Sequence, residues 1–214
     1  MKRLLIFLLA GTLAQFMVSC YPEGADKVQD YDVAITNYDK SVDFGAYTTF
    51  AIADTVVYFS NDKEASLSHQ FDTTIVGLVT RNFLSRGYTE VDTTEQPTFV
   101  VTISAFSNVN YAYYIDNWYN NWGWYWGWWG GPFNPYYPWY PVSVYSYRTG
   151  SVAIDMISTE KRTDGKANVI WSGIADGLLQ GSNNFVLYRL NNEINQCFIQ
   201  SPYLQSNGIT PQNQ

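Results

Sequence analysis

Histidine and cysteine are almost missing from this 214-residue chain, which has one His and two Cys. One imidazole, His69, cannot build a histidine-rich metal site, and with no catalytic partner in view it is expected to be a solvated residue on the polar side of a helix. No His/Cys/Asp/Glu cluster has metal-ligand spacing, and "DTTIVG" and "DTTEQ" hold too few carboxylates for a calcium loop. Glycine-rich phosphate loops are absent as well, so no catalytic residue, metal or cofactor is expected and an enzyme is not the reading. Charge is scarce too: charged residues are 14% of the chain, with 12 Lys and Arg against 19 Asp and Glu. Such an acidic balance repels nucleic acid and offers no polybasic attraction to anionic lipid.

A long hydrophobic run is also lacking. A membrane-spanning helix needs about 20 apolar residues, and the unbroken run Leu4–Ala14 is roughly half that. Lys2 and Arg3 precede it, and Met17-Val18-Ser19-Cys20 follows Gln15 and Phe16. This is the pattern of a secretory signal. Its last four residues resemble the lipobox of bacterial lipoproteins, with Met17 where Leu is usual. The resemblance implies that residues 1–19 are a signal peptide, cut before a Cys20 that becomes acylated and holds the chain on a membrane. Residues 20–29 read as a lipidated spacer, polar and broken by Pro22 and Gly24. The expected location is the cell envelope of a Gram-negative bacterium, at the outer membrane, with the side left open. Acylation of Cys20 leaves Cys197 alone, so no intramolecular disulfide is available. Cys197 falls in the helical stripe Leu187, Leu190, Ile194, Cys197, Phe198, as a buried packing thiol would.

Within residues 30–203 the apolar spacing changes twice. "VQDYDVAITNYD" and "AYTTFAIAD" alternate with period two, predicting two antiparallel strands or one bent strand. Leu67, Phe71, Ile75, Leu78, Val79 and Phe83 recur at three and four, predicting a helix from Leu67 to Arg86 that Gly87 ends. "TFVVTISAFSNVNYAYY" is strand-like again, with Phe99, Val101, Ile103 and Ala105 on one face. Strands are predicted at Val142–Tyr147, Gly150–Ser158 and Ala167–Leu178, the last two joined at Asp164-Gly165, a hairpin signal. Within them Asp155 reads as solvent-facing and Trp171 as core. A second helix starts near Ser182 or Asn183 and stops at Pro202, and residues 204–214 read as a disordered polar tail.

The segments "VDFGAYTTFAIAD", "FLSRGYTEV", "GSVAIDMIS", "VIWSGIADG" and "CFIQSPY", in that order, resemble the bacterial lipoproteins that carry the domain of unknown function 4136. The likeness covers roughly residues 30–203. Two departures stand at Gln96-Pro97-Thr98 and near Ser158, where the family commonly has acids. The resemblance implies an α+β fold, a mainly antiparallel sheet of about five strands with two helices on one face, and no assigned activity.

Residues 111–140 are an insertion of another kind, with seven Trp, eight Tyr, one Phe and a single charge, Asp116. A loop this rich in Gly and Pro cannot bury all its rings in one small core, and exposed apolar surface marks contact sites. Trp118, Trp122, Trp124, Trp126, Trp128, Trp129 and Trp139 are therefore the candidate binding residues. Four readings stay open: a membrane interface, stacking on a glycan, contact with an envelope protein, or a hairpin extension with no ligand. The expectation is a lipid-anchored module that binds or supports structure, with a peptidoglycan- or polysaccharide-binding module as the alternative.

Overall fold

Alternating apolar residues build the centre of the described part of the molecule, and two amphipathic helices among the described residues cover it. The computed structural model describes residues 33–60, 69–107, 135, 136, 138, 150–161, 164, 166–176 and 182–207. Its elements in chain order are β1 (Val33–Tyr38), β2 (Thr49–Ile52), β3 (Val57–Ser60), α1 (Asp72–Ser85), β4 (Thr89–Glu90), β5 (Phe99–Ser107), β6 (Pro135–Tyr136), β7 (Ser151–Lys161), β8 (Ala167–Asp176) and α2 (Asn183–Ile199). All belong to a compact unit that spans residues 32–214.

The sheet order is β1-β8-β7-β5-β2-β4, with β3 also on β5 and β6 also on β8. The expectation of about five mainly antiparallel strands is corrected here. Among the described residues there are eight strands, two of them only two residues long, and the sheet is mixed. The ladders β1–β8, β7–β8 and β5–β7 are antiparallel, whereas β2–β5, β3–β5, β2–β4 and β6–β8 are parallel. The reason is physical. Period-two alternation reports which face a residue takes and carries no direction, and α1 lies between β2 and β5 as a crossover that returns the chain parallel.

Register then sorts the side chains into two faces. Val101 lies opposite Met156, and Met156 opposite Trp171, while Ile103 lies opposite Ile154. These residues join Phe50, Phe99 and Val152 in one buried cluster with Ile75, Leu78, Val79 and Phe83 of α1 and Val186, Leu190, Ile194, Cys197 and Phe198 of α2. The spacings of three and four bring each helical set onto one stripe. Both helices thus pack on the same face of the sheet, as expected. The predicted start of the first helix was earlier than the observed one, since a 3-10 turn, His69–Phe71, precedes Asp72. Gly87, at φ 85°, closes that helix as anticipated. The tail was read as polar from residue 204, yet Leu204 is fully buried and the Ser206 N–H bonds the Arg86 carbonyl. One apolar side chain after Pro202 suffices to tie residues 204–207 to the core. The predicted strand Val142–Tyr147 lies outside the described residues.

Trp171 fills the space between β8 and α2, as the sequence led us to expect, and Gly173 makes room for it. A Cβ on Gly173 would stand 2.6 Å from Cη2 of Trp171 and 3.1 Å from Cβ of Cys197. Neither neighbour is a flexible chain end. Gly173→Ala should therefore lower stability by about 1–3 kcal/mol, in the range for overpacked cores, read as a lower urea midpoint at unchanged slope.

Candidate functional site

One end of the sheet opens into a groove of about 910 Å³. Four chain segments converge there: the turn after β1 (Asp39, Ser41, Val42, Asp43, Ala46, Tyr47), the turn before β5 (Gln96, Pro97, Thr98), the end of β7 (Ser158, Thr159, Glu160) and Asn168 at the start of β8. The turns are held by their own side chains. Asp39 Oδ1 accepts from the Ser41 N–H at 2.9 Å and from its hydroxyl at 2.6 Å, and Asp43 Oδ1 accepts from the Gly45 N–H at 3.0 Å. Such Asx turns give a short polar residue a local backbone partner. Thr98 Oγ1 donates to the Thr49 carbonyl at 2.7 Å and accepts from the Thr48 and Thr49 N–H groups at 3.1 Å. Gln96 takes a left-handed φ of 55°, the one described non-glycine to do so. That conformation is uncommon for a side-chain-bearing residue.

Tyr47 stands inside the groove. Its hydroxyl donates to Ser158 Oγ at 3.1 Å, and the same oxygen accepts the Glu160 N–H at 3.2 Å. Burial holds the Tyr47 phenol above its ordinary range; the Ser158 bond partly offsets this, and the Glu160 and Asp39 carboxylates push it further up. Those two carboxylates therefore act on the space around Tyr47. Glu160 is exposed, and its carboxylate makes no hydrogen bond or ion pair among the described residues. Asn168 Oδ1 is buried, and among the described residues no donor reaches it. Among the described residues, none that lines the groove is Lys, Arg or His.

Two other polar clusters are built differently. Asp72, at the start of α1, accepts from the Tyr58 hydroxyl at 2.7 Å and the Val56 N–H at 3.2 Å, with His69 Nδ1 2.8 Å away. Burial and Asp72 together raise the Tyr58 phenol. The cluster ties the segment around β3 to α1. His69 itself keeps a side chain 66% exposed, as read from the sequence. On the sheet face away from the helices, Asp155 stands opposite Thr102 on β5 and Ser172 on β8. The sequence reading put Asp155 in solvent; it is 1% exposed, because both faces of the central strands are buried. Alternation alone cannot tell a polar residue facing water from one facing a second covered layer.

The domain of unknown function DUF4136 matches residues 34–203 of this chain. The chain belongs to the DUF4136 family. A DUF4136 family protein from Bacteroides thetaiotaomicron VPI-5482, known from a crystal structure at 1.60 Å resolution, is similar at TM-score 0.61 and 26% identity, over 81% of this chain and 97% of that one. A PelC dodecamer variant from Paraburkholderia phytofirmans is similar at TM-score 0.38 and 9% identity, over 82% of this chain and 98% of that one. No curated protein matches. Within the DUF4136 frame, both departures read from the sequence, Gln96-Pro97-Thr98 and Ser158, line the groove. Cys20 and the seven candidate tryptophans lie outside the described residues. Tyr136 of the aromatic insertion is described, and it pairs in β6 with Asn168 of the groove wall. The groove itself was missed in the sequence, since its residues come from four distant segments and share no local period.

Cys197 is placed as the sequence led us to expect, fully buried in α2. Burial first, then the charge of Glu193, pushes its thiol up to about 12. A raised folded pKa keeps the thiol protonated below the unfolded value near 8.5, so its share of stability is complete there and is lost as pH climbs towards about 12. At pH 8 iodoacetamide should leave Cys197 unmodified in the native protein and alkylate it in denaturant, as checked by mass spectrometry of its peptide. Rapid native labelling would contradict the burial.

Proposed function

We propose that the chain is an envelope lipoprotein, anchored through acylated Cys20 at the outer membrane of a Gram-negative cell, whose DUF4136 domain binds and does not catalyse. The observation that carries the reading is the run from Lys2-Arg3 through Leu4–Ala14 to Met17-Val18-Ser19-Cys20. Acyl chains contribute about 0.8 kcal/mol per buried methylene, and two or more hold a protein on a bilayer. An open groove with fixed polar walls supports binding. The test is export of the full chain in a Gram-negative host with labelled palmitate. The wild type should incorporate label and sediment with membranes, and Cys20→Ala should do neither; a Cys20→Ala protein still on the membrane would overturn the anchor.

A second reading, a glycan-binding module that stacks sugars on residues 117–140, is favoured by one observation. Tyr136 belongs to that insertion and sits in register beside the groove residue Asn168. The expected outcome is retention of the full chain on peptidoglycan or polysaccharide, weakened at least about 10-fold when residues 117–134 are deleted, a change of roughly 1.4 kcal/mol or more. Equal retention without them would remove this reading, as followed by co-sedimentation.

A further inference from the structure

We propose that the groove at the sheet end binds a ligand bearing primary ammonium groups, held by the carboxylates of Glu160 and Asp39 around the ring of Tyr47. The proposal rests on the reading of this domain as a binding module and gives that module a ligand class. It is independent of whether Cys20 is acylated.

The lining decides the sign of the ligand. Asp39, Asp43 and Glu160 supply three carboxylates, and no lining residue among the described ones carries a positive charge. An anionic ligand would meet uncompensated repulsion, and a purely apolar one would strand these groups away from water. Among the described lining residues, two acceptors stand without a donor: the Glu160 carboxylate and the buried Asn168 Oδ1. Asp39 and Asp43 have each given one oxygen to a turn, and a carboxylate keeps further lone pairs for a donor. An ammonium group offers three donors and one positive charge. Tyr47 adds a ring whose hydroxyl is fixed on Ser158, so its orientation is set before a ligand arrives, and aromatic faces attract cations.

The spacing separates an ammonium ligand from a metal ion. Among the described residues no three acidic or histidine side chains gather as a metal's ligands would. The charges are instead divided between two walls, the turn after β1 and the end of β7, of a groove of about 910 Å³, large enough for a chain of methylenes with a cation at each end. Two sources carry that chemistry, a free polyamine and the lysine side chains of a peptide. They are told apart by the probes below.

The test is calorimetric titration of the full chain in non-ionic detergent with spermidine, with trilysine amide and with diacetylated spermidine. Spermidine or trilysine amide should bind, and whichever does identifies the source. Acetylation, which removes terminal charges while keeping the length, should weaken spermidine at least about 10-fold, or about 1.4 kcal/mol. Glu160→Gln should weaken binding about 3-fold, and Glu160→Gln with Asp39→Asn about 10-fold, as expected for partly exposed ion pairs. Raising salt from about 0.02 M to about 0.2 M should weaken it further. Glu160 is exposed and its carboxylate is unbonded, so the single variant reports on charge with the fold intact, checked by an unchanged melting temperature. Binding of neither ammonium probe, equal binding of the acetylated probe, or unaltered affinity in both variants would overturn the proposal. Retention on a glycan with no response to either ammonium probe would keep the binding module and remove this ligand.

Discussion

The ring of Phe83 is where both helices and the sheet meet. It lies 5.4 Å from the rings of Phe50 and Phe99, 5.1 Å edge-on from Phe198, 5.8 Å from Tyr88 and 6.3 Å from Trp171. Edge-on and tilted pairs suit the charge distribution of aromatic faces and contribute about 0.5–1.5 kcal/mol each beyond area burial. A buried Phe of this kind is worth about 3–5 kcal/mol against Ala, a large part of the roughly 5–15 kcal/mol that holds a domain folded. The indole N–H of Trp171 must find an acceptor once buried there, and Ser201 Oγ supplies it at 2.9 Å. Tyr203 donates to the same oxygen and stacks on Tyr38 at 3.9 Å. Four residues of "CFIQSPY" therefore do one job: Cys197 and Phe198 pack on the sheet, Ser201 satisfies Trp171, and Tyr203 locks the end of α2 to the end of β1.

That lock sets the groove. Tyr38 ends β1, and the next residue, Asp39, begins the groove wall, its N–H bonded to the Ile170 carbonyl of β8. Phe44, within the same turn, is buried beneath Tyr38 and Tyr203. The Tyr88 hydroxyl reaches the Phe44 carbonyl, and the Asn207 N–H bonds the Gly45 carbonyl. One side of the turn is thus sealed into the core, which leaves Asp39, Asp43 and Tyr47 to face the groove. A site placed by core packing has less freedom to rearrange than one carried on a loose loop.

The parts legible in the sequence are those with a local period. Most of both helix stripes, the alternation of β5 and β7, the turn at Asp164 and the burial of Trp171 and Cys197 each depend on residues a few positions apart, although Leu187 of the second stripe is 39% exposed and Val186 takes the buried place. Strand direction was not legible, because the parallel partnership of β2 and β5 is decided by the crossover through α1 and leaves no mark in alternation. The short β3 was missed for a related reason: four residues, Val57–Ser60, are too few for a period to stand out. Gln96 is the hardest case. The residue before a proline is normally pushed to extended backbone, yet the capping box of Asp92 with Glu95 ends a tight turn directly before it, and closure of that turn onto Thr98 and Thr49 wins.

The aromatic insertion and the groove turn out to be mechanically linked, although the chain enters the insertion far from the groove. The insertion leaves β5 after Ser107, the end of that strand away from Pro97, and Ser151 pairs with Phe106 where the chain re-enters β7. At about 3.3 Å per residue, a nine-residue strand separates those two ends by roughly 30 Å. Even so, Pro135 and Tyr136 pair with Ala167 and Asn168, at the groove end of β8. Backbone pairing fixes Tyr136 beside the groove wall whatever the neighbouring tryptophans do, and the Lys166 ammonium sits 6.0 Å from its ring. Any ligand seated against Asn168 therefore lies next to a strand of the aromatic block, and a glycan or membrane contact made by that block would bear on the groove through β6. Charge on one side and aromatic surface on the other would then select a ligand that is cationic where it meets Glu160 and apolar-faced where it meets Tyr136.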